Sequence, residues 1–191
     1  MKIDKNTTLA EFNKLMPLVK TEHIETLFVK LKDRLPPKTI AGKKVPENLD
    51  LISWKQFANL SSLDVNNMYF KPFEIILKLK EKHLIECKLF DIIGFVLFVS
   101  SELQRLAKLF ESIKPQPTPE EVRAGINKLN FGLFGTLDWY ARRMGITDHS
   151  QAEKTPVVRI FKCMEIDNKT SEYEKRLRKI YADQNKPKNK K

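Results

Sequence analysis

Apolar side chains recur along most of this chain at steps of three and four, the spacing of helices with one buried face. In "TEHIETLFVKLKDRLPP", Thr21 is placed to cap a helix whose inner face is Ile24, Leu27, Phe28 and Leu31, and Pro36-Pro37 stops it. The polar connection over 36–52, with Gly42 and Pro46, reads as irregular or a short hairpin. Ser53 and Gln56 form a capping-box pair, from which Trp54, Phe57 and Leu60 point inward. "YFKPFEIILKLKEK" predicts a helix with Pro72 in its first turn, where the missing N–H costs nothing.

From about Leu84 to Ile113, a heptad seam runs through Leu89, Ile92, Val96, Val99, Leu103, Leu106, Phe110 and Ile113. Ile93, Phe95, Leu97 and Phe98 make its middle apolar all round, the mark of a central helix, and Gly94 is expected to let another helix approach closely. The proline-rich turn 114–119 breaks this helix. Thr118, Pro119 and Glu121 then restart the chain as cap, first helical residue and capping-box glutamate. Val122, Ile126, Leu129, Leu133, Leu137, Tyr140 and Met144 predict one continuous second helix that ends at Gly145 and returns antiparallel to the first. Beyond it, Thr147 or Asp148 caps a short polar helix. Thr155-Pro156 opens another with Val157, Ile160, Phe161 and Met164 on one side. A last helix from about Thr170 carries Tyr173, Leu177, Ile180 and Tyr181. The expected fold is all-α: a helical bundle built on two long antiparallel helices with shorter flanking helices, one domain over 1–183, then a basic tail over 184–191.

Composition supports that class. A 191-residue chain with 41% hydrophobic residues can bury a sizeable core. The net charge of +11 admits nucleic acid, an acidic protein surface or a membrane face as partner, and equally reflects a lysine-rich codon usage. Lys175, Arg176, Arg178, Lys179, Lys186, Lys188, Lys190 and Lys191 form the nucleic-acid candidate, able to neutralise phosphates without reading sequence. No aromatics are interleaved with them as a stacking platform requires, and the plain alternative is a solvated helix face with a free tail. "MKIDKNTTLAEF" has no signal-peptide core, and "LFDIIGFVLFV" is too short to span a bilayer and contains Asp91, so a soluble intracellular protein with no membrane span is expected. Cys87 and Cys163 are expected as reduced, buried thiols.

"DWYARRMGITDHSQAEKTPVVRIF" has the outline of a helix-turn-helix: Ala141 in the first helix, Gly145 at the turn and Ile146 after it. The second helix of that motif must bury apolar residues where this chain has Gln151 and Lys154, and Pro156 cuts it short. The spacing therefore argues against groove reading. Chemistry is equally sparse. His83 and Cys87 are four apart but lack a second ligand pair for zinc, and Cys163 would need His149 as a base by tertiary coincidence. Glu120-Glu121 and Glu172/Glu174 sit at helix starts, where carboxylates offset the dipole. No enzyme activity, metal or cofactor is expected. Trp54, Trp139, Tyr140, Arg142 and Arg143 are the residue types enriched in protein interfaces, with a wide core stripe as the alternative.

Two segments carry a resemblance. "LISWKQFANLSSL" followed by an apolar helix resembles the entry segment of some structural proteins of tailed phages, crAss-like ones included. "DWYARRMGITDHSQAEKTPVVRIFKCMEIDNKTSEYEKRLRKI" is similar in layout to helical tail-assembly or head–tail proteins, with Tyr173, Arg176 and Leu177 in the place of a closing "YxxRL"-like pattern. Together they cover about a third of the chain. The resemblance implies a non-enzymatic virion or assembly protein, located in the particle or the host cytoplasm. It would contact portal, tail or other virion components and further copies of itself, with non-specific contact to DNA.

Overall fold

The structure, a computed structural model, describes residues 3, 6–15, 36–64 and 67–185. The helix expected after Thr21 and the tail cations Lys186, Lys188, Lys190 and Lys191 lie outside these residues. The fold is all-α, with one small hairpin. The chain groups into two compact units, one up to Ala107 and one from Lys108 on, divided within the long central helix.

The first unit contains α1 (Leu9–Leu15), the hairpin β1 (Thr39–Ile40) and β2 (Lys43–Lys44), α2 (Trp54–Ser61) and most of α3 (Leu89–Ser112). The capping box forms as its residues predict: Ser53 Oγ accepts from Gln56 N–H at 3.2 Å and Gln56 Oε1 accepts from Ser53 N–H at 3.0 Å. Trp54, Phe57 and Leu60 turn inward. The segment 36–52 is more than a polar connection. Ala41 and Gly42, both at positive φ, close the hairpin, and Ile40, Val45, Leu49 and Ile52 are buried. The Pro72 helix is brief, a wide π turn over Phe73–Leu77 that ends at Lys78 in the left-handed region. Phe73 stacks on Phe95 of α3 with centroids 4.6 Å apart. As the apolar run of α3 predicts, Ile92 through Val96 are buried on every side. Arg105 and Glu102 fasten α3 to the loop before α2: Glu102 accepts Leu49 N–H at 2.9 Å, and Arg105 bonds Asp50.

The second unit contains the last turn of α3, α4 (Pro119–Arg123), α5 (Gly132–Met144), α6 (His149–Ala152) and α7 (Val157–Gln184). The single helix expected over 119–144 is broken. Its capping box forms on Thr118 and Glu121, but Gly125 adopts φ 89 and ends that turn. A 3₁₀ turn spans Ile126–Lys128, and Asn130 Oδ1 accepts Gly132 N–H at 3.0 Å before α5 starts. The second long helix is instead α7, which joins into 28 residues the two helices expected at Thr155-Pro156 and Thr170. Leu137, Tyr140, Ala141, Ala152, Val157, Ile160 and Phe161 make the core. Phe110, at the end of α3, meets Phe161 edge-on at 5.7 Å, and Asn168 donates to the carbonyl of Ile113.

Candidate functional site

The corner between α5 and α6 is closely bonded. Gly145, at φ 65, lets the chain turn, and Ile146 N–H returns to the carbonyl of Ala141 at 2.9 Å. Asp148 caps α6 by accepting Ser150 N–H at 2.8 Å and Ser150 Oγ–H at 2.7 Å. His149 folds back on α5, with Nε2 3.2 Å from Asp138 Oδ1 and its ring 5.2 Å from that of Phe134. Arg142 reaches the other oxygen of Asp138 at 2.5 Å. His149 first and Arg142 next hold the Asp138 carboxyl below its usual range. The second helix of the corner is four residues long, and it buries only Ala152. That is a packing corner, without a helix long enough to lie in a DNA groove.

The five interface candidates separate. Trp54 is 2% exposed, with its ring 5.4 Å from Phe57, so it fills the core of the first unit. Tyr140 is 2% exposed and fills that of the second. For these two the wide core stripe is the correct reading, because each lies on the inward face of its helix. Trp139 is half-buried beside Tyr140, Arg142 is exposed, and Arg143 bonds both oxygens of Asp167 on α7 at 3.0 and 2.9 Å. Of the nucleic-acid candidates, Lys175, Arg176, Arg178 and Lys179 are exposed on the distal part of α7.

Sequence reasoning missed the larger surface because it assigned Val122, Ile126, Leu129 and Leu133 to a buried face and gave Phe131 and Phe134 no place. Val122, Ile126, Leu129, Phe131, Leu133 and Phe134 are all exposed, Phe131 to 70%. Breaking the helix at Gly125 and Gly132 takes them off the stripe that Leu137 and Tyr140 continue. The glycine and asparagine spacing "GINKLNFG" was the signal available. A second run, Ile166, Tyr173, Ile180 and Tyr181, is exposed along α7. Large contiguous apolar patches are one mark of surfaces that meet another macromolecule.

His83 Nδ1 accepts Lys80 N–H at 3.0 Å, while the Cys87 thiol turns to the His83 carbonyl at 3.4 Å and burial pushes its pKa up. His149 is committed to Asp138, on the same corner. Among the described residues no group of three or more His, Cys, Asp or Glu could hold a metal ion, and no helix is long and apolar enough to cross a membrane. No protein-family model, curated protein or solved structure matches the chain.

Proposed function

We propose that this protein acts without catalysis, as a structural or assembly component of a tailed-phage particle that contacts portal, tail or other virion proteins through helix faces. The observation that carries this reading is the exposure of large apolar side chains over 122–134 and along α7, in a unit whose core is otherwise closed by Leu137, Tyr140, Val157 and Ile160. Such side chains are stabilised by removal from water, at about 25 cal/mol per Å² buried. Among the described residues nothing covers them. The link to a tailed phage is the resemblance of residues 51–63 and 138–180. Mass spectrometry of gradient-purified particles of the encoding phage tests it. The chain should be present in fixed copy number and survive a wash in about 1 M salt, which screens charge but leaves apolar contacts intact. Its absence from both particles and assembly intermediates would overturn the reading.

A second reading, non-specific nucleic-acid binding, is favoured by one observation: Lys175, Arg176, Arg178 and Lys179 are all exposed on one helix. Binding of that kind falls with salt, at a slope of about −0.9 in log–log form per phosphate contacted on duplex DNA. Reversing Lys175, Arg178 and Lys179 to glutamate should abolish it. DNA affinity unchanged by those substitutions would reject it.

A further inference from the structure

From Lys169 to Gln184 every side chain of α7 is exposed except that of Leu177, which is half-buried. A helix so lightly supported is marginal by itself in water, yet it is not polar all round. Ile166, Tyr173 and Ile180 follow one another at intervals of a heptad, and Thr170, Leu177 and Gln184 lie four residues after each. At 100° per residue all six fall on one stripe, the d and a positions of a coiled-coil seam about 28 Å long.

The charges beside the stripe indicate what covers it. Lys169, Arg176 and Asp183 occupy one flank, the g positions; Asp167, Glu174 and Tyr181 occupy the other, the e positions. In a parallel pair of such helices each g residue meets the e residue five further along the other helix. Lys169 then faces Glu174 of a second copy, and Arg176 faces the ring of its Tyr181, a cation over an aromatic face. The antiparallel pairing that stacks the same apolar residues would set Lys169 against Asp183 but, at the middle of the seam, Glu174 against Glu174 and Arg176 against Arg176. Like charges at that range are destabilising. The ion pair of Lys169 with Glu165, 2.8 Å within the chain, leaves Lys169 itself largely exposed, and a pair with one solvated partner contributes little to hold it away.

We propose that the occupant of this stripe is a second copy of the chain, and that the distal part of α7 forms a parallel, two-stranded helical pair through Ile166, Tyr173, Leu177 and Ile180. The pairing does not depend on a role in a particle. Nor does it use Lys175, Arg178 or Lys179, which lie away from the seam, so the charge reversal that tests nucleic-acid binding leaves it intact.

Sedimentation equilibrium of the full chain, with Lys169→Glu and Glu174→Lys variants separately and mixed, is the test. The wild type should show a concentration-dependent monomer–dimer equilibrium. Each single variant should dimerise about tenfold more weakly, because two attractive contacts per dimer become repulsive. An equimolar mixture should recover dimers, since the carboxylate introduced in one chain then meets the ammonium introduced in the other. Both positions are solvent-exposed, and unchanged circular dichroism confirms that the variants fold. A wild-type monomer at about 1 mM, the weak limit of such pairing, overturns the proposal. So does a dimer indifferent to both substitutions, and so does weakening that the mixture fails to reverse.

Discussion

Glu102 uses one carboxylate for two elements. It receives Leu49 N–H from the loop before α2, at 2.9 Å, and the guanidinium of Arg105 one turn on along α3, at 2.8 Å. The Arg105 hydrogen bond is the larger reason, and Leu49 N–H a smaller one, that the Glu102 carboxyl titrates below its usual range, while burial works against both. A carboxyl depressed in the folded state adds stability that is complete above its unfolded value near 4.5, and that stability is lost as pH falls through the folded value. Glu102→Ala should therefore destabilise the protein by about 2 kcal/mol at neutral pH, since it strands a buried N–H and removes a charged acceptor. The deficit should shrink below pH 4.5, and urea titrations at several pH values check both statements; a deficit that does not change with pH would contradict them. Gly94 leads to the opposite expectation. Its position in an all-round-apolar helix suggested a close helix contact, but a Cβ there would meet only Pro37 Cδ at 3.6 Å, an ordinary contact. Gly94→Ala should then stabilise by about 0.5–1 kcal/mol through helix propensity alone, seen as a higher urea midpoint with an unchanged slope. A loss of stability would show that the surroundings cannot admit a methyl group.

Elements were legible where a local signal and the apolar period agree, as at Ser53–Gln56, Thr118–Glu121, Gly145 and the 92–96 stretch of α3. They were illegible where the two conflict or where the cause is distant in sequence. Over 119–144 the three–four stripe is real, but turn chemistry at Gly125, Asn130 and Gly132 overrides it, and that broken helix exposes the apolar surface now read as the site. The burial of Leu49 and Ile52 depends on partners far along the chain, among them Glu102. Asn168, just before the helix start expected at about Thr170, spends its side chain on the Ile113 carbonyl while the helix runs on past it. Helix α7 consequently has two parts: Val157 to about Asn168 packs on its unit, and the remainder stands in solvent. Amide exchange should reproduce that division. In dilute solution the distal amides should exchange with little protection and the proximal ones far more slowly, because exchange follows local opening. Uniform protection along α7 in dilute solution would mean that the distal part is already covered.

At the scale of the molecule, most of the net charge and, among the described residues, most of the apolar exposure fall in the same half. Eighteen basic and eleven acidic residues lie from Lys108 onward, +7 of the total +11. Among the described residues, the exposed large apolar side chains other than Leu51, Tyr69 and Ile85 lie there too. The two properties predict opposite responses to salt: phosphate contacts release counterions and weaken, whereas apolar contacts hold. Phe131 and Phe134 separate docking from folding, because neither is buried. Replacing both with serine should change unfolding stability by no more than about 0.5 kcal/mol, the range of ordinary surface substitutions. Phe134 also faces the His149 ring, and the substitution removes that stacking. If this surface docks other virion proteins, the double variant should fold normally and yet be lost from salt-washed particles, as quantitative mass spectrometry would show. Retention at wild-type copy number would transfer the docking role to α7 alone. A loss of several kcal/mol in stability would mean that the two rings belong to the core after all, and the argument from exposed apolar surface would then rest on Ile166, Tyr173, Ile180 and Tyr181.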